Sequence, residues 1–393
     1  MKYNFDEVIN RHNTNSYKYD FPEMFNKPKD ALPLWVADMD FRIPPEVMAA
    51  IQKVADHGIY GYAESKDDYF NAVASWFASI HDYHVKSDWM VKVPGVVFAL
   101  GMAIKGLTAP GDAIVIQKPL YYPIENTIVA NGRITVDNPL VYSQGRYTLD
   151  LEDFERKIVD NNAKMFILCN PHNPVGRVWT RDELLCMGRI CQKHNCIVVS
   201  DEIHCDLVFD GHKHLVFSTI CDTFADFSVI CTAPSKTFNL AGLQNANIFI
   251  SNKGLRARFK HEIWASGYAQ LNVMGMEACK AAYIHGRQWL TELMQYLANN
   301  AAYVCDTVAV NLPKIKPIAL EGTYLQWLDF NALGLSHDEL EDRLNRANVW
   351  LSSGTAFGAA GAGFFRVNLA CPRSTLEVAM QRVVSACSES RQV

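Results

Sequence analysis

Two stretches decide the fold: Met165-Phe166-Ile167-Leu168-Cys169-Asn170-Pro171-His172-Asn173-Pro174-Val175-Gly176 and Ile197-Val198-Val199-Ser200-Asp201-Glu202-Ile203-His204. Each opens as a short run rich in β-branched and other apolar residues and breaks abruptly into polar or Pro/Gly positions. That is the signature of a buried strand. Between them, 180–194 reads as a helix. Thr180 with Glu183 three residues on forms a capping box, and Leu184, Leu185, Met187 and Ile190 recur at helical spacing. Strand, helix, strand implies a parallel pair, and parallel sheets are covered on both faces. Working outward, 113–117, 228–232 and 246–250 have the same strand character. The expected class is therefore α/β, with a mostly parallel sheet flanked by helices.

The C-terminal third has another rhythm. Residues 287–310 are helical in pattern, and 322–329 and 364–369 read as strands of a smaller α+β unit. At 393 residues the chain is longer than one core usually supports, so two domains are expected. The expected division is a large domain over 46–286 and a small domain built from 1–45 with 287–393.

Composition excludes several classes. A formal charge of −5 leaves no basic footprint for nucleic acid. The eleven cysteines include no Cys-x-x-Cys pair, and Cys169, Cys231 and Cys305 sit in apolar runs where free cysteine acts as a small core residue. Residues 1–20 are polar and lack a signal-peptide core, and the apolar run 94–104 is too short to span a bilayer. An odd number of cysteines without a secretory signal points to reduced thiols. A soluble, cytoplasmic protein with no membrane or nucleic-acid partner is expected.

Parallel α/β sheets bind ligands beyond the carboxyl ends of their strands. There the sequence delivers Tyr121 after 113–117, Asn173 after 165–169, Asp201 after 197–200 and Lys236 after 228–232. Taken singly, Lys236 is a surface lysine, Asp201 a helix cap, Asn173 a turn residue and Tyr121 a core aromatic. Their joint placement favours a site. An amine, an acid, an amide and an aromatic ring suit pyridoxal 5′-phosphate (PLP), which needs a lysine for its aldehyde and a carboxylate for its pyridine nitrogen. The phosphate needs donors, and Gly95, Val96 and Val97 open a helical run just after Pro94, where free N–H groups suit an anion. Ser235 adds a hydroxyl. His172, Glu202 and His204 fall in the same region and read as hydrogen-bonded structural residues, with no metal-ligand spacing.

At these residues the sequence resembles fold-type-I PLP enzymes, the class I/II aminotransferase superfamily with the aspartate-aminotransferase fold. The match lies in 170–176, in Ser200-Asp201-Glu202-Ile203-His204, in Ser235-Lys236 and in Arg366-Val367-Asn368-Leu369-Ala370. Within it, Pro33-Leu34-Trp35-Val36-Ala37-Asp38-Met39-Asp40-Phe41, Tyr60-Gly61-Tyr62 and Ala233-Pro234-Ser235-Lys236-Thr237-Phe238-Asn239 resemble the cystathionine β-lyase, or cysteine-S-conjugate C–S lyase, branch. Aspartate aminotransferases carry a tyrosine where this chain has His204 and a phosphate-binding arginine where it has Gln244.

The resemblance implies roles. Lys236 anchors the cofactor and serves as general base, Asp201 pairs with the ring nitrogen, Asn173 meets the ring oxygen and Tyr121 stacks on the ring. Arg366 grips the substrate carboxylate and Tyr122 lies beside the substrate. Tyr62 reaches the cofactor phosphate of a neighbouring subunit, which implies a homodimer with shared sites. The implied reaction is α,β-elimination on a sulfur amino acid, giving thiol, pyruvate and ammonia. A PLP-dependent aminotransferase is the competing enzyme, and a PLP-binding modulator of a regulatory protein is the competing non-catalytic role.

Overall fold

The computed structural model describes residues 2–388. Its centre is a seven-stranded sheet in the order Met90–Val93, Ala246–Phe249, Ser228–Thr232, Ile197–Asp201, Met165–Cys169, Ala113–Ile116, Ile134–Asp137. From Ser228–Thr232 to Ile134–Asp137 all neighbours are parallel. Side chains alternate between two packed faces. Ile114, Ile116, Ile167, Val199 and Val229 join the cluster under helix Val96–Leu107, whereas Val115, Phe166, Leu168 and Val198 face the larger core. Burial on both sides explains why these strands read as continuous apolar runs rather than alternating ones.

The strand at 246–249 departs from the parallel pattern. It runs antiparallel to both Ser228–Thr232 and Met90–Val93. The connection ahead of it holds only the short helical turns Pro234–Thr237 and Ala241–Leu243, so no crossover helix carries the chain back to the other end of the sheet.

The smaller sheet has the order Lys316–Pro317, Leu325–Asp329, Phe364–Asn368, Ser352–Ser353 and is antiparallel. The strand expected over 322–329 is shorter because Gly322 forms an isolated bridge to Val208 and Thr323 adopts φ +70°. Leu32–Pro33 pairs in parallel with Val349–Trp350, tying the N-terminal segment to this part of the chain.

Register sets the site. Cys169 lies opposite Asp201, and Asp201 opposite Cys231, so three adjacent parallel strands end level. Asn173 follows the first of these ends and Lys236 the third.

Helix Arg181–Lys193 forms as its sequence predicts, with both reciprocal bonds of the capping box between Thr180 and Glu183. Its buried face includes Gly188, where any Cβ would overlap the Phe224 ring. Thr180→Ala is expected to cost about 1 kcal/mol through the lost cap. Gly188→Ala is expected to cost more, by overpacking. Urea midpoints of the two variants against the parent chain check both the sign and the order.

Candidate active site

The level strand ends open into a cavity of about 380 Å³ lined by Gly95, Val96, Val97, Tyr121, Asn173, Asp201, Ser235 and Lys236, with Ala37, Ile203, His204, Gln244 and Asn245. All eight residues of the first group were singled out in the sequence as cofactor-binding. The fold brings them together from five segments of the chain.

Asp201 ends its strand with its carboxyl group 5% exposed. Its one hydrogen bond is from the Ile203 N–H at 3.2 Å. Burial pushes its pKa up to about 7, and the nearby Lys236 charge only partly opposes this. Lys236 donates to the Ala37 carbonyl at 2.6 Å. Burial lowers its amine to about 8, with Asp38 raising it and Arg366 lowering it further. An amine at that value has about one-tenth of its population neutral at pH 7, far more than an ordinary lysine with its value near 10.5.

Arg366 lies in strand Phe364–Asn368, 4% exposed. Nη1 donates to Asn173 Oδ1 at 2.8 Å, Nη2 to the Trp35 carbonyl at 2.7 Å, and the guanidinium sits 4.8 Å from the Phe357 ring centroid. Nε is buried with no partner. None of these contacts is an acid, and burial lowers the group to about 10. The bond to Asn173 fixes its amide oxygen as acceptor and leaves the NH₂ end as a donor for another group.

Tyr121 is held by its N–H to the Asn173 carbonyl at 3.1 Å. Its hydroxyl is raised to about 12 by burial. Tyr122 stands 5.6 Å away, ring to ring, and is 44% exposed. Helix Val96–Leu107 starts at Gly95 without a side-chain cap, so its first N–H groups remain available at the cavity wall. Nothing lies within 4 Å of where a Cβ at Gly95 would sit.

Of the residues singled out in the sequence for the site, Tyr62, Tyr122 and Arg366 are not among those lining the cavity. Tyr62 is fully exposed and lines a separate surface groove of residues 60–63 and 269–274. His204 corrects an expectation. His172 bonds the Pro119 carbonyl, and Glu202 receives His214, Ser200 and the Phe217 N–H, as structural residues do. His204 instead faces the cavity, with a buried Nδ1 that has no partner. Burial and the charges of Lys236 and Arg366 hold its pKa well below the usual histidine value, so the ring is neutral.

The sequence pointed to residues near Ala37 to Asp40 as part of the pocket, but not to the contact that the Ala37 backbone makes. Its carbonyl takes hydrogen bonds from Lys236 and, at 2.9 Å, from the buried Tyr324 hydroxyl. A carbonyl acceptor leaves no trace in residue identity. The Trp35–Phe41 match was the one available signal.

The donor set fits PLP. Asp201 lacks a cation, which a protonated pyridine supplies. Lys236 could supply the amine, the uncapped helix start could receive the phosphate, and Arg366 keeps an unpartnered donor that a carboxylate could use.

The aminotransferase class I and II family model matches residues 29–383. Cystathionine beta-lyase PatB of Bacillus subtilis is 43% identical over 98% of this chain and 100% of that protein. Among solved structures, cystalysin of Treponema denticola, which contains a pyridoxal 5′-phosphate cofactor, has a TM-score of 0.95 and 37% identity, covering 98% of this chain and 99% of that one. The PLP-bound C–S lyase of Staphylococcus hominis has a TM-score of 0.92 at 30% identity, covering 99% of both chains.

The two shifted pKa values have opposite consequences for the cofactor-free protein. Asp201 holds a proton in the folded state from about pH 4 to about 7, where the unfolded carboxyl, near 3.8, has lost it. Its contribution to stability therefore falls as pH rises through that window. Lys236 has lost a proton above about 8 that the unfolded amine keeps to 10.5, so its contribution rises with pH between those values. In thermal melts of the apoprotein, Asp201→Asn is expected to flatten the first slope and Lys236→Met the second. Unchanged slopes would contradict both assignments.

Proposed function

The chain belongs to the class I and II aminotransferase family, and from that premise we propose that it is a PLP-dependent carbon–sulfur β-lyase acting on sulfur amino acids. The observation that carries the reading is the buried triplet Asp201, Lys236 and Arg366. Each has a charge or donor that the protein leaves uncompensated, and each is matched by one part of a PLP–amino acid pair.

Arg366 takes the substrate carboxylate in the bidentate geometry that a guanidinium offers and an ammonium does not. Asn173, oriented by Arg366, donates to the ring oxygen, and Tyr121 covers the ring face. Gly95, Val96, Val97 and Ser235 hold the phosphate. Asp201, charged against the ring nitrogen, keeps that nitrogen protonated. PLP supplies the electron sink that makes the substrate Cα acidic. With the cofactor and substrate bound, Lys236 would be the general base that takes the Cα proton at Nζ. The Cβ–S bond then breaks, the thiolate is protonated, and water completes the conversion to thiol, pyruvate and ammonia. Tyr122, 5.6 Å from Tyr121 ring to ring and partly exposed, would stand beside the substrate.

The reading extends to assembly and place. A homodimer with shared sites is supported by Ile59, Tyr60 and Tyr62, which present an apolar run to solvent. A second copy covering it would carry Tyr62 to the neighbouring cofactor phosphate. A division into 46–286 and 1–45 with 287–393 is supported by the pairing of Leu32–Pro33 with Val349–Trp350. A cytoplasmic location is supported by eleven unpaired cysteines. No helix among the described residues is long and apolar enough to cross a membrane.

Lys236→Ala is expected to abolish the visible band of the bound cofactor and to slow pyruvate release from cystathionine by roughly 10⁴-fold. Arg366→Ala is expected to raise KM by roughly 10- to 100-fold through a lost charge-assisted bond. Pyruvate and thiol formed without added keto acid support the lyase, and a strict keto-acid requirement supports an aminotransferase instead. Mixing inactive Tyr62→Ala and Lys236→Ala chains should restore activity, because a hybrid dimer contains one intact site. A mixture that stays inactive despite forming hybrids would rule out sharing.

A further inference from the structure

Lys236 stands on the four-residue helix Pro234–Thr237, which is too short to hold itself. Phe238 N–H bonds the Pro234 carbonyl at 2.9 Å, and Leu240 N–H bonds the Ser235 carbonyl at 3.0 Å. The next side chain does more. Thr237, fully buried, donates from Oγ1 to Asp206 Oδ2 at 2.7 Å. The other oxygen, Oδ1, accepts from Trp76 Nε1 at 3.0 Å and meets His81 Nε2 at 2.7 Å. Trp76 also packs against Phe238, ring centroids 5.4 Å apart. Helix Asp67–His81 therefore braces the Lys236 turn from behind, through one buried carboxylate.

Asp206 belongs to the turn that begins at Asp201, closed by Cys205 N–H to the Glu202 carbonyl at 3.0 Å and Leu207 N–H to the His204 carbonyl at 2.9 Å. One rigid turn thus carries the acid that faces the cavity and the acid that holds the lysine's own turn. His81, Cys205 and Asp206 also lie close enough to suggest a metal site. The carboxylate oxygens are already taken by hydrogen-bond donors, and burial raises the Cys205 thiol well above its usual range, so the thiolate a metal wants is disfavoured.

We infer that the Asp206–Thr237 hydrogen bond, backed by Trp76 and His81, is a positioning device that fixes Lys236 relative to Asp201. The inference rests on the proposed cofactor role of Lys236 but concerns residues outside the cavity. Thr237→Val keeps the shape and removes the donor. Thr237→Ser keeps the donor.

In the holoenzyme, Thr237→Val is expected to speed cofactor dissociation by roughly 10-fold or more, as the loss of a buried hydrogen bond implies. It should also shift the pH at which the cofactor's visible band titrates, and lower kcat with KM little changed. Thr237→Ser should restore all three, and Asp206→Asn should reproduce the Val defect. A Val or Asn variant with an altered melting temperature but parental band titration and dissociation rate would overturn the inference, since bracing alone would then be structural. If Lys236→Ala itself retains the visible band, the anchor assignment fails instead. The two failures are thus distinguishable.

Discussion

Asp201 carries a carboxyl group at the buried end of its strand, with a single backbone hydrogen bond and no arginine or lysine in contact among the described residues. Taking an ionised carboxylate out of water is costly unless it is paired, and the group responds by holding its proton up to about pH 7. Lys236 and Arg366 show the same condition with the opposite charge. The unpaired Asp201 persists because the parallel sheet over-determines its position. Cys169, Asp201 and Cys231 stand in one row of the register, so moving one end means breaking the ladder. The scaffold keeps an electrostatic deficit that a protonated pyridine, an aldehyde and a carboxylate together remove. Cofactor binding should accordingly stabilise the fold as well as enable the reaction.

A second layer closes the site from the other end of the chain. Arg11 bridges Asp38 and Asp40 at 2.6 Å each, and fully buried Lys18 bonds Asp40 at 2.8 Å, making a compact group of two cations and two acids. Asn239 and Asn368 tie the backbone of 36–41 to the lysine turn and to the small sheet. Ala37 is thereby held over Lys236, and Trp35 offers its carbonyl to Arg366. Segments from both ends of the chain and its middle thus meet around one amine. Neither part of the chain presents this site alone.

Much of this was legible in the sequence, because buried parallel strands and their polar exits are local features. The runs at 165–169, 197–201 and 228–232 and the Thr180 capping box declare themselves without tertiary knowledge. Strand polarity did not, since 246–249 looks like its neighbours and only the missing crossover helix reveals its direction. His204 was read as structural, together with Glu202 and His172, because no metal-ligand spacing was present. Direction along an irregular turn decides which side chain enters the cavity, and residue type is silent on that. The Ala37 carbonyl and the Asp206–Thr237 bond were invisible for a related reason. Both depend on pairs far apart in sequence, one of them involving an atom that every residue carries.

The electrostatics also bear on how protons move in the proposed reaction. His204 would add a third cation beside Lys236 and Arg366 if protonated, and its pKa is depressed by burial first and then by those charges. A neutral imidazole cannot deliver a proton to a departing thiolate unless it first receives one. Tyr121, near 12, holds its proton firmly in neutral solution. Asp201, in the proposed reaction, would be committed to the ring nitrogen. Lys236 remains the group in the cavity whose value, about 8, lets it both accept and return a proton near neutrality. The proton taken from Cα is then the natural one to quench the sulfur, and a single amine serves both steps. That economy places a strict demand on where Nζ sits. A one-turn helix meets it only if something outside the cavity holds the turn still.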